Sequence, residues 1–462
     1  MLQETDKYKF LTEAPVNGVI LKMAIPTIMS MLVTSLYNMV DTYFVGRLDT
    51  QSTAAVGIVF SFMFFIQSFG FFFGHGSGNY ISRELGAKHH AKAEKMASIG
   101  FFSSFLFGCI ILFYGEILLK PLSLLLGSTP TILPYTERYL WIILLGTPFL
   151  TSSLTLNCQM RLQGYANKSM QGMVLGALLN CILDPLFIFT FNMGLSGAAI
   201  ATVVGQIVSF GILLAMTRQD GIIGIRWSNF KPTWIAMKEI FYGGSPSLSR
   251  QGLGCFATVA LNYTAGIYGD AAIAAMSIVN RITMFVMSMV VGLGQGFQPV
   301  CGFCYGARLF DRLKQAYWFV VKVGTIFLIV MGLIGIYYSH EIVSLFRDDA
   351  AVVAIGAPAL VWQLVAYPLN ALSMASNMMT QTCRKPWRAN ILAAARKGLF
   401  FVPLILILPY FFGLKGVEMC QAWSDILAFI LTVPVMIYTF KQLDSEFKEE
   451  NSDIHYSNEV LE

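Results

Sequence analysis

Four side chains hold most of the chemistry this sequence could do. Tyr37 and Asp41 stand four residues apart in SMLVTSLYNMVDTYFVG, and Asn180 and Asp184 stand four apart in LLNCILDPLFIF, where Pro185 follows. That spacing puts both members of a pair on one helix face. Asn38 adjoins the first pair, Thr202 and Gln206 repeat the four-residue spacing further on, and Asn157 adds an amide. Two carboxylates at one depth in an apolar medium can share a proton or hold a cation. The plainer alternative is a pair of separate structural carboxylates near a membrane boundary. An ionisable side chain inside a bilayer is costly, so each asks for a reason, and function is the first to weigh.

The segments around these residues are membrane segments. The 462-residue chain is 56% hydrophobic and 12% charged, about half the ~25% charged fraction of a soluble protein, and its mean hydropathy is +0.63. A soluble enzyme, a disordered chain and a fibrous one are excluded. Apolar segments lie at about 18–45, 54–80, 98–120, 133–158, 169–190, 195–217, 240–265, 272–300, 316–338, 352–380, 388–411 and 416–440. Each is long enough to cross a ~30 Å hydrocarbon core as a helix. Alternating strands of the barrel type are absent from the pattern. Residues 1–17 have mixed charge and no apolar run of the secretory type.

Lys and Arg fall unevenly on alternate sides of these spans. Twenty-three, including Lys7, Arg83, Lys88, Arg161, Arg218, Arg308, Arg384, Arg396, Lys397 and Lys448, fall on one side; Arg47, Lys120, Arg138, Arg347 and Lys415 fall on the other. The rule that basic loops stay inside makes both termini cytoplasmic. The net charge of +5 then reads as membrane topology, with no nucleic-acid partner.

The second half repeats the first at an offset of 220 residues: Pro26 maps to Pro246, Tyr43 to Tyr263, Gly74 to Gly294, and Gly86-Ala87-Lys88 to Gly306-Ala307-Arg308. Six spans separate the copies, so both run the same way through the membrane, as parallel repeats with a cavity between them. The expected architecture is an all-α integral membrane protein of twelve transmembrane helices in two pseudo-symmetric six-helix lobes. Its expected divisions are a lobe over 1–217, a cytoplasmic linker over 218–239, a second lobe over 240–440 and a cytoplasmic tail over 441–462.

The second half lacks the acids: Leu261 stands where Asp41 does, and Val402 precedes Pro403 as Asp184 precedes Pro185. Spans 7 and 10 carry no carboxylate, their polar side chains including Arg250, Gln251, Gln363, Asn370, Asn377 and Gln381, which leaves Arg281 and Asp425 as candidates for an ion pair. Gly70, Gly74, Gly76 and Gly78 have the small-residue spacing that permits close helix packing, and His75 among them reads as a packed neutral side chain. The eight cysteines are scattered through apolar segments as buried thiols. Cys301 and Cys304 form one CxxC without the further ligands a structural metal needs. No catalytic constellation is present, so no enzyme is expected, and no cofactor.

Taken in order, Tyr37-Asn38-x-x-Asp41, Asn180-x-x-x-Asp184-Pro185 and the Gly86-Ala87-Lys88 turn after span 2 resemble the MATE (multidrug and toxic compound extrusion) family over about 15–440. The run Gly78–Lys88 looks most like its bacterial MepA-like branch. The resemblance implies a secondary antiporter in the bacterial cytoplasmic membrane that exports amphiphilic, often cationic, drugs by alternating access. Asp41, Asn180 and Asp184 would take up H⁺ or Na⁺, with Tyr37, Asn157 and Thr202 lining the same site, H⁺ being the first choice. Members with a second-lobe cation site carry acids in spans 7 and 10, so none is expected here. The expected partners are small drug-like molecules and the lipid bilayer, and the expected state is a monomer. The alternative reading is a lipid-linked saccharide flippase of the related exporter superfamily.

Overall fold

In a computed structural model of the chain, residues 2–459 are described, with side chains over 6–37, 40–41, 43–49 and 51–446. The side chains of Asn38 and Lys448 lie outside the described ones. The first half comprises α1 (Leu2–Thr12), α2 (Val16–Val45), α3 (Thr50–Gly86), α4 (His90–Ile117), the short α5 (Leu119–Leu125), α6 (Leu133–Leu162), α7 (Ala166–Pro185) with a π-helical extension Leu186–Thr190, and α8 (Leu195–Met216). The second half has α9 (Trp234–Gly266), α10 (Asp270–Gly306), α11 (Phe310–Tyr337), the short α12 (Ser339–Phe346), α13 (Ala350–Ala366) continued by α14 (Asn370–Thr382), α15 (Pro386–Ala394) continued by α16 (Phe401–Phe412), and α17 (Leu414–Glu459). No strand occurs among the described residues.

Among the described residues twelve helical units therefore stand where twelve spans are expected. Eleven are long and apolar enough to cross a membrane. The other, α9, is 33 residues long but interrupted by serines, glycines and Arg250. Large apolar side chains cover the outer surface, Phe113, Leu333 and Tyr410 among them, which suits a lipid-facing wall and no aqueous one.

The repeat extends to the backbone. Lys88 and Arg308, 220 apart, end α3 and α10 with φ of 61° and 60°, and Gly194 and Gly413 have φ of 55° and 59°. A side chain in this left-handed region costs roughly 1–2 kcal/mol. Lys88 and Arg308 occupy it because the following amides bond back into the helix, His89 N–H to Glu84 O at 2.8 Å and Leu309 N–H to Cys304 O at 2.8 Å.

Two boundaries differ from the sequence reading. Thr233 caps α9 by accepting from Ala236 N–H at 3.2 Å, so the linker stops there and Trp234–Glu239 are helical. At the other end α17 continues to Glu459 without a break at 440, its Asp444 and Glu446 pairing with Lys314 and Lys385.

Each lobe has its own apolar core, and the first helix of each also leans on the other lobe. Val19, Ile20, Met23 and Ala24 of α2 sit among Phe297, Val300 and Phe303 of α10. Ala236 and Ile240 of α9 sit among Phe73, Ile81 and Met96 of α3 and α4. Both exchanges lie on the side with the basic loops. Single cysteines at Leu48 or Thr129 are expected to react with an impermeant maleimide added to intact cells, and ones at His89 or Gln315 to stay unlabelled; the reverse pattern would overturn the assignment of sides.

Candidate functional site

The acids of the first lobe converge. Asp184 is wholly buried and Asn180 nearly so. The Asn180 amide donates to Asp184 Oδ1 and to Thr202 Oγ1, both at 3.4 Å, which ties α7 to α8. Asp41 on α2 lies within electrostatic reach of Asp184, and Tyr37 lies within reach of both. Pro185 has no N–H to donate, so the carbonyl four residues back, on Cys181, loses its helical partner. The chain then widens into the π-helical turn Leu186–Thr190, a distortion frequent at functional sites, and the second lobe has its counterpart at Ala395–Leu399.

Tyr139 of α6 completes the cluster, close to Thr202, Asp41 and Asp184. Sequence reasoning missed it, because a lone tyrosine near a span end is ordinary in a membrane protein. Tyr37, Asp41, Asn180, Asp184 and Thr202 are thus brought together as the spacing suggests. Asn157 is not. It lies 18 residues further along α6 than Tyr139, about 27 Å at the helical rise. It bonds Ser169 Oγ at 2.7 Å and accepts from Arg161 at 3.3 Å. Helical spacing could not place it, since no acid shares its stretch of helix.

The two lobes treat their acids differently. In the first, Asp41 Oδ1, Asp184 Oδ2, Asn180 Oδ1 and Gln206 Oε1 are buried without a donor among the described residues, each at a cost of roughly 1–3 kcal/mol or more. In the second, Asp425 takes Arg396 Nε at 2.7 Å, Gln421 at 2.7 Å and Asn370 at 2.8 Å. Arg396 and Lys397, counted with the cytoplasmic side in the sequence, are interior. Arg396 is ten residues past the start of α15, about 15 Å along the helix, and the acid on α17 compensates its charge. Arg281 is not the partner of Asp425; it faces a crevice of about 140 Å³ lined by Val45, Thr53, Val56, Gly57 and Phe60.

A polar seal closes the basic side between the lobes. Glu239 of α9 is gripped by Arg83 of α3 at 3.1 Å and by Arg384 at 2.5 Å. Arg83 also donates to the Thr382 carbonyl at 2.8 Å, and the Thr382 hydroxyl donates to Asn79 at 3.0 Å. His75 is buried as expected but bridges the lobes: Nε2 faces Arg161 at 3.2 Å and Nδ1 faces Ser247 Oγ at 2.9 Å. Breaking a buried ion pair from one side costs about 3–5 kcal/mol. Glu239→Gln is therefore expected to favour separation of the lobes on this side. Spin labels at His89 and Gln315, one on each lobe, should gain a longer-distance population; an unchanged distance distribution would remove Glu239 from the seal.

These features define a polytopic helical membrane protein, folded as a tandem repeat, sealed on one side, with unsatisfied acids inside its first half. The chain belongs to the MatE family, whose sequence pattern matches residues 26–186 and 246–407. It is similar to the multidrug export protein MepA of Staphylococcus aureus (strain NCTC 8325 / PS 47), at 28% identity over 425 residues, 91% of this chain and 92% of that one. Among solved structures it resembles a MATE in complex with MaL6, at 25% identity and a TM-score of 0.89 over 96% of this chain and 99% of that one. It also resembles an outward-facing multidrug resistance MATE family transporter of the MOP superfamily, at 25% identity and a TM-score of 0.88 over 95% and 98%.

Proposed function

We propose that this protein is a multidrug exporter of the bacterial cytoplasmic membrane, expelling amphiphilic, cationic compounds in exchange for H⁺, with both termini inside. The two lobes close the cavity alternately on either side, and one chain suffices. The observation that carries this reading is the contrast between lobes: the acids of the first retain unpaired buried oxygens, whereas Asp425 is fully paired.

An ion drives a conformational cycle only if it binds one state better than the other. Asp41 and Asp184 can provide that difference. Ionised, they repel one another in an apolar interior; with a proton between them the repulsion is relieved and the helices carrying them can approach. Protonation bends α2 near Pro26 and closes the drug cavity on the outer side. Na⁺ is the second candidate, with Asp41, Asp184 and Asn180 as its first ligands. H⁺ is preferred because two neighbouring acids in an apolar interior can share a proton without further ligands, whereas Na⁺ needs several oxygens converging on one point. Sealing of the basic side by Arg83 and Glu239 corresponds to the outward-open half of the cycle.

The test is export of a fluorescent cationic dye from cells producing the protein, with the proton and sodium gradients collapsed separately. Proton ionophores are expected to stop export and sodium removal to leave it intact. The opposite result would make Na⁺ the coupling ion.

A further inference from the structure

We propose that Arg250 forms an anion-binding subsite on the floor of the interlobe cleft, for the carboxylate of amphiphiles that carry an acid group beside their cation. This rests on the export reading above and narrows its substrate class. Ser247 and Arg250 are three residues apart on one face of α9. Ser247 makes the outermost of the described side-chain hydrogen bonds between the lobes, to His75 at 2.9 Å, and accepts from Gln381 at 2.9 Å. One turn further out, Arg250 donates to Asn377 Oδ1 at 2.8 Å, and Asn377 stands one turn outward of Gln381 on α14. The Arg250–Asn377 layer is therefore the first above the seal, and Arg250 is only half-buried there.

Its charge is not matched by any described side chain. A guanidinium has five N–H donors, and Asn377 is the partner of one. Among the described residues no carboxylate pairs with Arg250. Beneath it Arg161, 2% exposed, bonds only neutral groups among the described residues, Asn157, His75 and Cys158, and its Nε has no partner among them. His75 lies within electrostatic reach of both arginines. Two guanidinium groups held in the protein without a counter-ion among the described residues are costly, and an anion entering between the lobes from the open side offsets that cost. The planar fork of donors that Arg250 leaves free fits a carboxylate in bidentate fashion.

The test uses purified full-length protein in phosphatidylcholine nanodiscs and two probes with the same cationic ring system, rhodamine B with its free carboxylate and rhodamine B ethyl ester. Fluorescence anisotropy reads binding. Arg250→Gln is expected to weaken rhodamine B about tenfold to a hundredfold and leave the ester within about twofold, and Arg250→Lys should retain part of the affinity. Equal weakening of acid and ester, or of neither, would overturn the subsite alone. Failure of the unaltered protein to bind the ester as well would overturn the export reading and the subsite with it. If replacing part of the lipid by phosphatidylglycerol abolishes rhodamine B binding, lipid phosphate is the ligand and the substrate assignment falls.

Discussion

Asp184→Asn is expected to reduce dye export to the level of cells lacking the protein while the purified variant keeps its thermal stability. The amide has the shape of the carboxylate and can still accept from Asn180, whose contact at 3.4 Å is among the few that hold Asp184 in place. What it loses is a titratable group, and with it the difference in ion affinity between two states. Driving an equilibrium from one side to the other takes a differential of several kcal/mol, and each tenfold ratio is worth ~1.4 kcal/mol. Hydroxyls and amides without a second acid cannot supply that. Asp41→Asn should do the same, whereas Asp425→Asn should leave coupling intact, because Asp425 already spends its lone pairs on Arg396, Gln421 and Asn370. Its loss would strand Arg396, so the expected defect is lower stability, seen as a lower Tm. Continued export by the Asp41/Asp184 double variant, with uncoupling by Asp425→Asn, would move the coupling site to the second lobe.

Gly76→Val is expected to be as damaging, by a different route. A Cβ at Gly76 meets the backbone carbonyl and Cα of Ile240, and Gly243 stands against the Gly76 backbone from the other side. Backbone cannot move aside as the end of a flexible side chain can. The lobes are therefore forced apart along α3 and α9, where Arg83 and Glu239 meet. Spin labels at His89 and Gln315 should report the longer distance as the major population, and export should fall to background. Gly57→Val is the control, since a Cβ there meets nothing within 4 Å, and it should export normally. Wild-type distances in Gly76→Val would show that the contact is not needed for closure.

The glycines of α3 illustrate how far sequence carries. Their spacing announces close packing, and three of them, Gly70, Gly74 and Gly78, do meet Leu154, Cys158 and Leu162 of α6. Gly76, two residues off that stripe, faces the other lobe. No local rule separates the two roles, because the difference depends on which helix lies opposite. Helix count, membrane location, the parallel repeat and the first-lobe acids were legible for the opposite reason. They follow from hydrophobic length, periodicity and the cost of a charge in hydrocarbon, all of which act within a single segment.

What depended on neighbours from distant segments was not legible. Tyr139 joins the acids and Asn157 leaves them because α6 runs past both ends of the cluster. Asp425 finds Arg396 and not Arg281, and a pair of charges counted with the basic side becomes interior, because α15 and α17 pack together. Glu239, assigned by composition to a linker, becomes the centre of the seal once Thr233 starts α9 early and Arg83 arrives from the other lobe. Sequence by itself determined which residues would be expensive in the membrane. Tertiary structure decided which of them are compensated, since a partner 29 residues away on Asp425 or 156 away on Glu239 is supplied only by the packing of helices that carry no mark of each other in their own residues.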